Sequence, residues 1–294
     1  MMKLAFGQQK IDEAMKDIRH TIKSETISFS KLENGELLLF KANNIPSISG
    51  SFDNLINGSR MFMNSSLEKV NCNFPVLEEA VGMFCQCESL SEFTGNLPNL
   101  LKAPIMFANS TKLEKFECKN LSKLENGEQM FNNCENLKSF NSKLPNLIDG
   151  ASMFGSCGLT NFEVDMPKLV SGNNMFNKNK NLKNFNCKLP SLKEGRFMFL
   201  ECKNLTSFRS DLSSLECGSY MFEGCENLKR FEGNLSSLKE GYDMFIGCKL
   251  DTESVKNIAE TISTISRSSS ITIGVDEMDE EKEKYIKMIE EKGW

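Results

Sequence analysis

Leu189-Pro190-Ser191-Leu192-Lys193-Glu194-Gly195, then Met198-Phe199, Cys202, Leu205 and Phe208, is one unit of a pattern that fills most of the chain. The next unit repeats it as Leu212, Leu215, Gly218, Met221-Phe222, Cys225, Leu228 and Phe231. The dyad is the clearest marker. Met-Phe begins at residues 61, 83, 106, 130, 153, 175, 198, 221 and 244, in steps of 22, 23, 24, 23, 22, 23, 23 and 23. No single unit can bury its own Met, Phe and Leu side chains, but stacked units can, so the period predicts a solenoid.

Within a unit, the stretch from Leu137 to Leu144 alternates around Phe140 and Ser142. That alternation suits a short strand with one buried face. A glycine stands three residues before most dyads, as at Gly127, Gly150 and Gly172, and Ala80 and Ala103 replace it in two units. A small residue there allows a tight turn or a close approach between coils. A period of about 20–29 residues with leucines at fixed offsets is the leucine-rich-repeat signature. The expected fold is therefore α/β, with about nine 23-residue coils, parallel strands on the concave face and helical caps at both ends.

The unit resembles the BspA-like, or Treponema-type, leucine-rich repeat, whose pattern is A-F-x-x-C-x-x-L-x-x-I. Met-Phe replaces Ala-Phe here, and Phe or Val replaces the strand Ile. Cys87, Cys134, Cys157, Cys202, Cys225 and Cys248 hold the family's cysteine position, and Ser65, Ser110 and Asn179 hold it elsewhere. The resemblance runs from about Phe52 to Leu250. It implies the fold, whereas function varies widely within one fold.

Three segments follow from this. Residues 1–50 read as a cap or attachment element. A helix is expected over Gln8 to Lys23 with Ile11, Met15, Ile18 and Ile22 on one face. Two strands, Thr26 to Leu32 and Glu36 to Phe40, flank Asn34-Gly35, a strong hairpin-turn dipeptide. Residues 51–250 are the solenoid. Residues 251–294 form an α-β-α cap: Asp251 as N-cap of a helix to Ile265, a strand at Ile271 to Gly274, and a helix from Asp279 to Lys292. This ending, closing on Lys292-Gly293-Trp294, resembles a tail on repeat proteins of bacteriophages, often virion-surface components. That resemblance implies a virion protein of tail-fibre, baseplate or capsid-surface type. Its N-terminal element would hold other virion proteins, and its repeats would meet a host-surface protein or glycan. The alternative is a cellular adhesin or protein-interaction scaffold.

Composition narrows the classes. A net charge of -5 with no basic block gives no footprint for nucleic acid. No apolar run reaches the roughly 18 residues of a membrane span, and the first residues do not read as a secretory signal. A virion location, or alternatively a cytoplasmic one, is expected on that ground. The 11 cysteines include no C-x-x-C pair, so free thiols are expected rather than disulfides or metal sites. His20 is the only histidine and makes no recognisable triad. No nucleotide-loop, zinc-protease or nucleophile-elbow motif occurs, so no cofactor and no catalysis are expected. No long heptad pattern specifies an oligomer, though one is compatible with a fibre protein.

The residues expected to bind are those beside the buried strand position. One column is Asn71, Thr94, Glu117, Asn141, Glu163, Asn186, Arg209 and Glu232. The other includes Lys115, Asn161, Asn184 and Arg230, with Lys69, Glu92, Ser139 and Ser207 between them. Neither column holds an aromatic residue, which counts against a sugar groove there. A plain solvated face remains open beside the binding reading.

Overall fold

A computed structural model describes residues 31–265 and 269–294. Each coil supplies one short parallel strand. β1 (Ser47–Ser51), β2 (Lys69–Asn73), β3 (Glu92–Asn96) and β4 (Lys115–Cys118) form one sheet in sequence order. β5 (Asn161–Phe162), β6 (Asn184–Asn186), β7 (Ser207–Ser210) and β8 (Arg230–Gly233) form a second. Register follows the repeat, so Val70, Phe93 and Phe116 share one inward row. A second ladder of single bridges runs from Asn34 through Asn57 to Glu240, which marks ten coils among the described residues.

The Met-Phe segment is a ribbon of tight turns. Met61, Met63 and Ser65 donate their amides within the coil, to the carbonyls of Gly58, Arg60 and Phe62. The alternating residues Gly58, Arg60, Phe62 and Asn64 donate to Glu79, Val81, Met83 and Cys85 of the next coil. Every backbone group thus has a partner without a strand or helix. This winding puts two residues per coil in the left-handed region, as at Arg60 (φ 55°) and Asn64 (φ 59°) or Phe197 and Glu201 (φ 57° each).

Phenylalanines fill the core in two columns. The dyad column stacks from Phe62 to Phe245 with ring centroids 5.3 to 5.5 Å apart. The strand column, Phe93 to Phe231, meets it mostly edge to face, the geometry that ring quadrupoles favour. The small residue before the dyad makes room for the neighbouring coil. A Cβ on Gly127 would lie 3.0 Å from Sδ of Met153, so close approach rather than turn geometry explains it.

The cysteine column has a chemical reason. Each thiol donates to the carbonyl of the preceding coil's dyad Phe: Cys87 to Phe62 (3.1 Å), Cys134 to Phe107 (3.2 Å), Cys225 to Phe199 (3.1 Å). Ser110 Oγ and Asn179 Nδ2 do the same to Phe84 and Phe154, at 2.9 and 2.6 Å. The position requires a small buried donor rather than sulfur itself.

Three expectations need correction. Asn34-Gly35 is not a hairpin turn. Asn34 bridges Asn57 in parallel, and Gly35, Leu38-Leu39, Ala42, Ile45 and Ile48 take the positions of Gly, Met-Phe, Cys, Leu and Phe. One more coil therefore precedes the first dyad, with residues 36–40 in its turn ribbon. The helix expected over Gln8 to Lys23, with His20, lies outside the described residues, as does most of the strand expected at Thr26 to Leu32.

The Leu137 to Leu144 stretch forms no strand. The 24-residue step from 106 to 130 carries one extra residue between Phe116 and Leu121, and the 22-residue step from 153 to 175 lacks one between Cys157 and Leu159. The coil caught between them loses the ladder, which splits the sheet, although Phe140 stays buried in its column. Gly158 lets the shortened loop pass, since a Cβ there would lie 2.5 Å from the Glu135 carbonyl oxygen.

The third concerns helix lengths at the C-terminal end. α1 (Thr252–Thr261) starts at the expected N-cap, Asp251, but ends where Ile262 turns extended, short of Ile265. β10 (Ile273–Val275) pairs parallel with β9 (Phe245–Leu250), and α2 (Glu280–Glu291) follows its own N-cap Asp279. α1 covers the open edge of β8 with side chains. Ser254 Oγ accepts from Phe231 N (2.8 Å), Asn257 Oδ1 from Gly233 N (3.0 Å) and Thr261 Oγ1 from Leu235 N (3.3 Å). Beyond the ribbon, Cζ3 of Trp294 lies 3.2 Å from where a Cβ on Gly241 would stand, the place that the next coil's Met takes elsewhere.

Candidate binding surface

The outward strand residues stand where the alternation expected them. β2 alternates exposed and buried, with Lys69, Asn71 and Asn73 out and Val70 and Cys72 in. Register sets Asn71 beside Thr94 and Glu117, and Lys69 beside Glu92 and Lys115. In the second sheet, Asn161, Asn184, Ser207 and Arg230 form one row, and Asn186, Arg209 and Glu232 the other.

The break in the sheet divides these residues into three groups. On the first sheet, Lys115 bridges Glu92 (2.7 Å) and Glu117 (3.4 Å). The hydrogen bond to Glu92 raises the Lys115 pKa and lowers that of Glu92. At the break, Asn141, Asn161 and Glu163 line a shallow hollow of about 490 Å³. Asn184 Nδ2 donates to Asn161 Oδ1 at 2.8 Å and carries an amide ladder into the second sheet.

There Arg209, Glu232, Arg230 and Asp251 form a chain of ion pairs at 3.2 to 3.5 Å. Asn186, Arg209 and Glu232 line a groove of about 820 Å³ closed on one side by Asn257 and Thr261 of α1. Sequence reading placed the first three in the face but could not bring the helix against them. That contact depends on how α1 lies along β8.

The groove offers hydrogen-bond donors, acceptors and fixed charges of both signs. Its thiol, Cys187, is unsuited to nucleophilic work because burial pushes its pKa up. Burial likewise pushes Cys72, Cys202 and Cys248 up to about 12 each, so these thiols stay protonated donors at neutral pH. Among the described residues, no group of three or more His, Cys, Asp or Glu is placed to hold a metal ion, and no helix is long and apolar enough to cross a membrane.

One exposed cluster lies outside both expected columns. Phe197, Tyr220 and Tyr242 gather on the turn ribbon of consecutive coils, beside Arg196 and Glu240. Its sequence signal was aromatic residues next to the dyad in two adjacent units, which a search confined to strand positions passes over.

A family comparison agrees with the coil geometry. A family model described as "BspA type Leucine rich repeat region" matches in 6 copies over residues 24–138, 56–183 and 150–272. A solved leucine-rich repeat protein from Bacteroides ovatus is 22% identical, with a TM-score of 0.42, over 76% of this chain and 77% of that one. A leucine-rich repeat protein from Eubacterium ventriosum is 14% identical, with a TM-score of 0.39, over 89% and 85%. A leucine rich cell surface protein from Faecalibacterium prausnitzii is 16% identical, with a TM-score of 0.24, over 72% and 88%. No curated protein matches the chain. None of these comparisons lends support to the phage likeness of the final segment, and the family match stops at residue 272.

Proposed function

The chain belongs to the BspA-type leucine-rich-repeat family, and from that premise we propose that it is a non-catalytic scaffold, an adhesin or interaction module that holds a protein partner across its sheet face. The observation that carries this reading is the fixed polar lattice. Outward side chains stand in register on a core stacked without interruption, and ion pairs such as Lys115–Glu92 and Arg209–Glu232 already hold their geometry. A partner meeting such a face would lose little affinity to ordering it. The mixed charges favour a protein surface of complementary sign over a phosphate backbone, which would need a basic stripe. The virion reading takes its phage likeness from residues 251–294, which no comparison supports, so the scaffold reading stands ahead of it.

Face-dependent capture tests the proposal. A photo-crosslinking residue is placed at Asn71, Asn186 or Arg209 on the sheet, and at Lys102 or Asp149 on the bridge ladder as controls. Each form is expressed in the source culture and exposed to its natural surroundings. The expected result is one protein captured from the sheet positions and not from the bridge positions. Equal capture from both faces, or none from the sheet, overturns the assignment. Hydrolysis of cell-wall polysaccharide by the purified chain, lost on Glu232→Gln, would replace the scaffold by an enzyme.

A further inference from the structure

The turn ribbon carries a second surface that owes nothing to the sheet face. Phe197 and Tyr220 occupy the left-handed position before the Met, at φ 57° and 60°. Other coils place residues there that range from Gly82 and Ser152 to Arg60, Leu37 and Ile105. Bulky residues rarely adopt this region, and holding one there costs on the order of 1–2 kcal/mol. Burial does not repay that cost, because both rings remain partly exposed. The two rings stack on each other with centroids 4.8 Å apart and planes 5° apart.

Tyr242, on the next coil, breaks the stack. Its ring turns 68° from Tyr220 at 5.3 Å, and the residue is 52% exposed. It walls a hollow of about 450 Å³ together with Ser219, Glu240 and Ser270. That volume lies within the range of small-ligand clefts.

The polar side of the hollow is built as firmly as the aromatic one. Arg196 reaches across two coils, with Nη1 2.7 Å from Glu194 and Nη2 2.6 Å from Glu240. Cys217 Sγ accepts a further hydrogen bond from the same Nη2 at 3.2 Å. Glu240, which lines the hollow with the half-exposed Tyr242, is thus held by the Arg196 guanidinium, and Ser219 and Ser270 line the same hollow.

We propose that this patch is a carbohydrate-binding site, which takes a neutral hexopyranose of an oligosaccharide against Tyr242 with the Glu240–Arg196 pair meeting its hydroxyls. The chemistry selects that class. A sugar ring offers an apolar C–H face for an aromatic ring and vicinal hydroxyls that both donate and accept. An anionic sugar would meet Glu194 and Glu240. A quaternary ammonium ion would need ring faces converging on one point, whereas Phe197 and Tyr220 spend theirs on each other, and Arg196 repels it.

The test uses the whole chain and saturation-transfer NMR with cellohexaose, maltoheptaose, mannohexaose and chitohexaose. The sole tryptophan, Trp294, packs beside Gly241 and reports the same titrations by fluorescence. At least one of these sugars should bind at millimolar concentration or below. Tyr242→Ala should weaken it by about tenfold or more, near 1.4 kcal/mol, while Tyr242→Phe keeps most of it. Arg209→Ala on the sheet should leave it unchanged, which separates this site from the protein face. No binding by any of the sugars overturns the proposal, as does binding indifferent to Tyr242→Ala, or displacement of the sugar by tetramethylammonium. Tyr242 is half exposed, so its loss leaves the fold intact, and circular dichroism of the variant verifies that.

Discussion

At the scale of single residues, the degenerate column is the most informative. Cysteine, serine and asparagine look unrelated in the repeat, yet all donate a hydrogen bond to a Phe carbonyl. The sequence displayed the substitution pattern but not its reason, because the accepting carbonyl belongs to the preceding coil. The prediction is a hierarchy at Cys225. Ser keeps the donor to Phe199 and should cost under about 1 kcal/mol, whereas Val removes it and adds bulk, for about 2 kcal/mol. Urea melts of the two variants give the order. A pH effect follows from the same burial. The folded state holds Cys72, Cys202 and Cys248 at about 12, above the roughly 8.5 of a free thiol. Protonation is favoured in the folded chain, so this stability is complete below about pH 8.5 and is lost as pH climbs toward 12. Urea midpoints should be flat near neutrality and fall above about pH 9. A flat profile to pH 11 would contradict the burial argument. The left-handed pairs on the ribbon were hidden for a simpler reason: most are not glycine, so no residue type announced them.

Among elements, α1 shows how a solenoid ends without another strand. Ser254, Asn257 and Thr261 stand at i, i+3 and i+7 on one helix face, and they substitute for a strand's acceptors along β8. Asn257→Ala should leave the Gly233 amide without its partner and cost about 1–3 kcal/mol if no water replaces it. Hydrogen exchange at Phe231, Gly233 and Leu235 reads the effect: faster exchange at Gly233 is expected, with Phe231 less affected. Unchanged protection at Gly233 would mean that α1 only covers the edge. The N-cap of α1, Asp251, was legible in the sequence, whereas Asp279 read as the first residue of the second helix and proves to be its N-cap. The polar contacts of α1 were not legible, because Ser, Asn and Thr on a helix read as ordinary solvated positions. At the other end, Asn34-Gly35 misled because the repeat's own bridge-and-glycine pair is spelled like a hairpin turn, and Leu38-Leu39 conceals the dyad.

For the whole molecule, regular stacking makes each coil depend chiefly on its two neighbours. Weakness should therefore concentrate where the ladder lapses. Residues 138–144 hold their Phe in the column but lack strand bonds, so their amides should exchange sooner than those of β4 and β6. Exchange mass spectrometry across the three segments tests this, and equal protection would show that the aromatic stack alone holds the coil. The 24-residue step at 106 and the 22-residue step at 153 already flanked this break in the sequence, though the 22-residue step at 61 leaves its sheet intact, so the period could not say where the ladder would yield. The fold as a whole was legible because one spacing repeats; the aromatic patch was not, because it belongs to three particular coils rather than to the period. Trp294 against Gly241 carries a last consequence. Since an unlike side chain occupies the seat of the next Met, a further coil would have to displace it, while the interior junctions repeat one pattern of contacts apart from the lapse at residues 138–144. Gene segments encoding single coils can be duplicated or lost inboard of that seat, so lineages can lengthen or shorten the molecule and reshuffle its outward mosaic while inheriting the same finish.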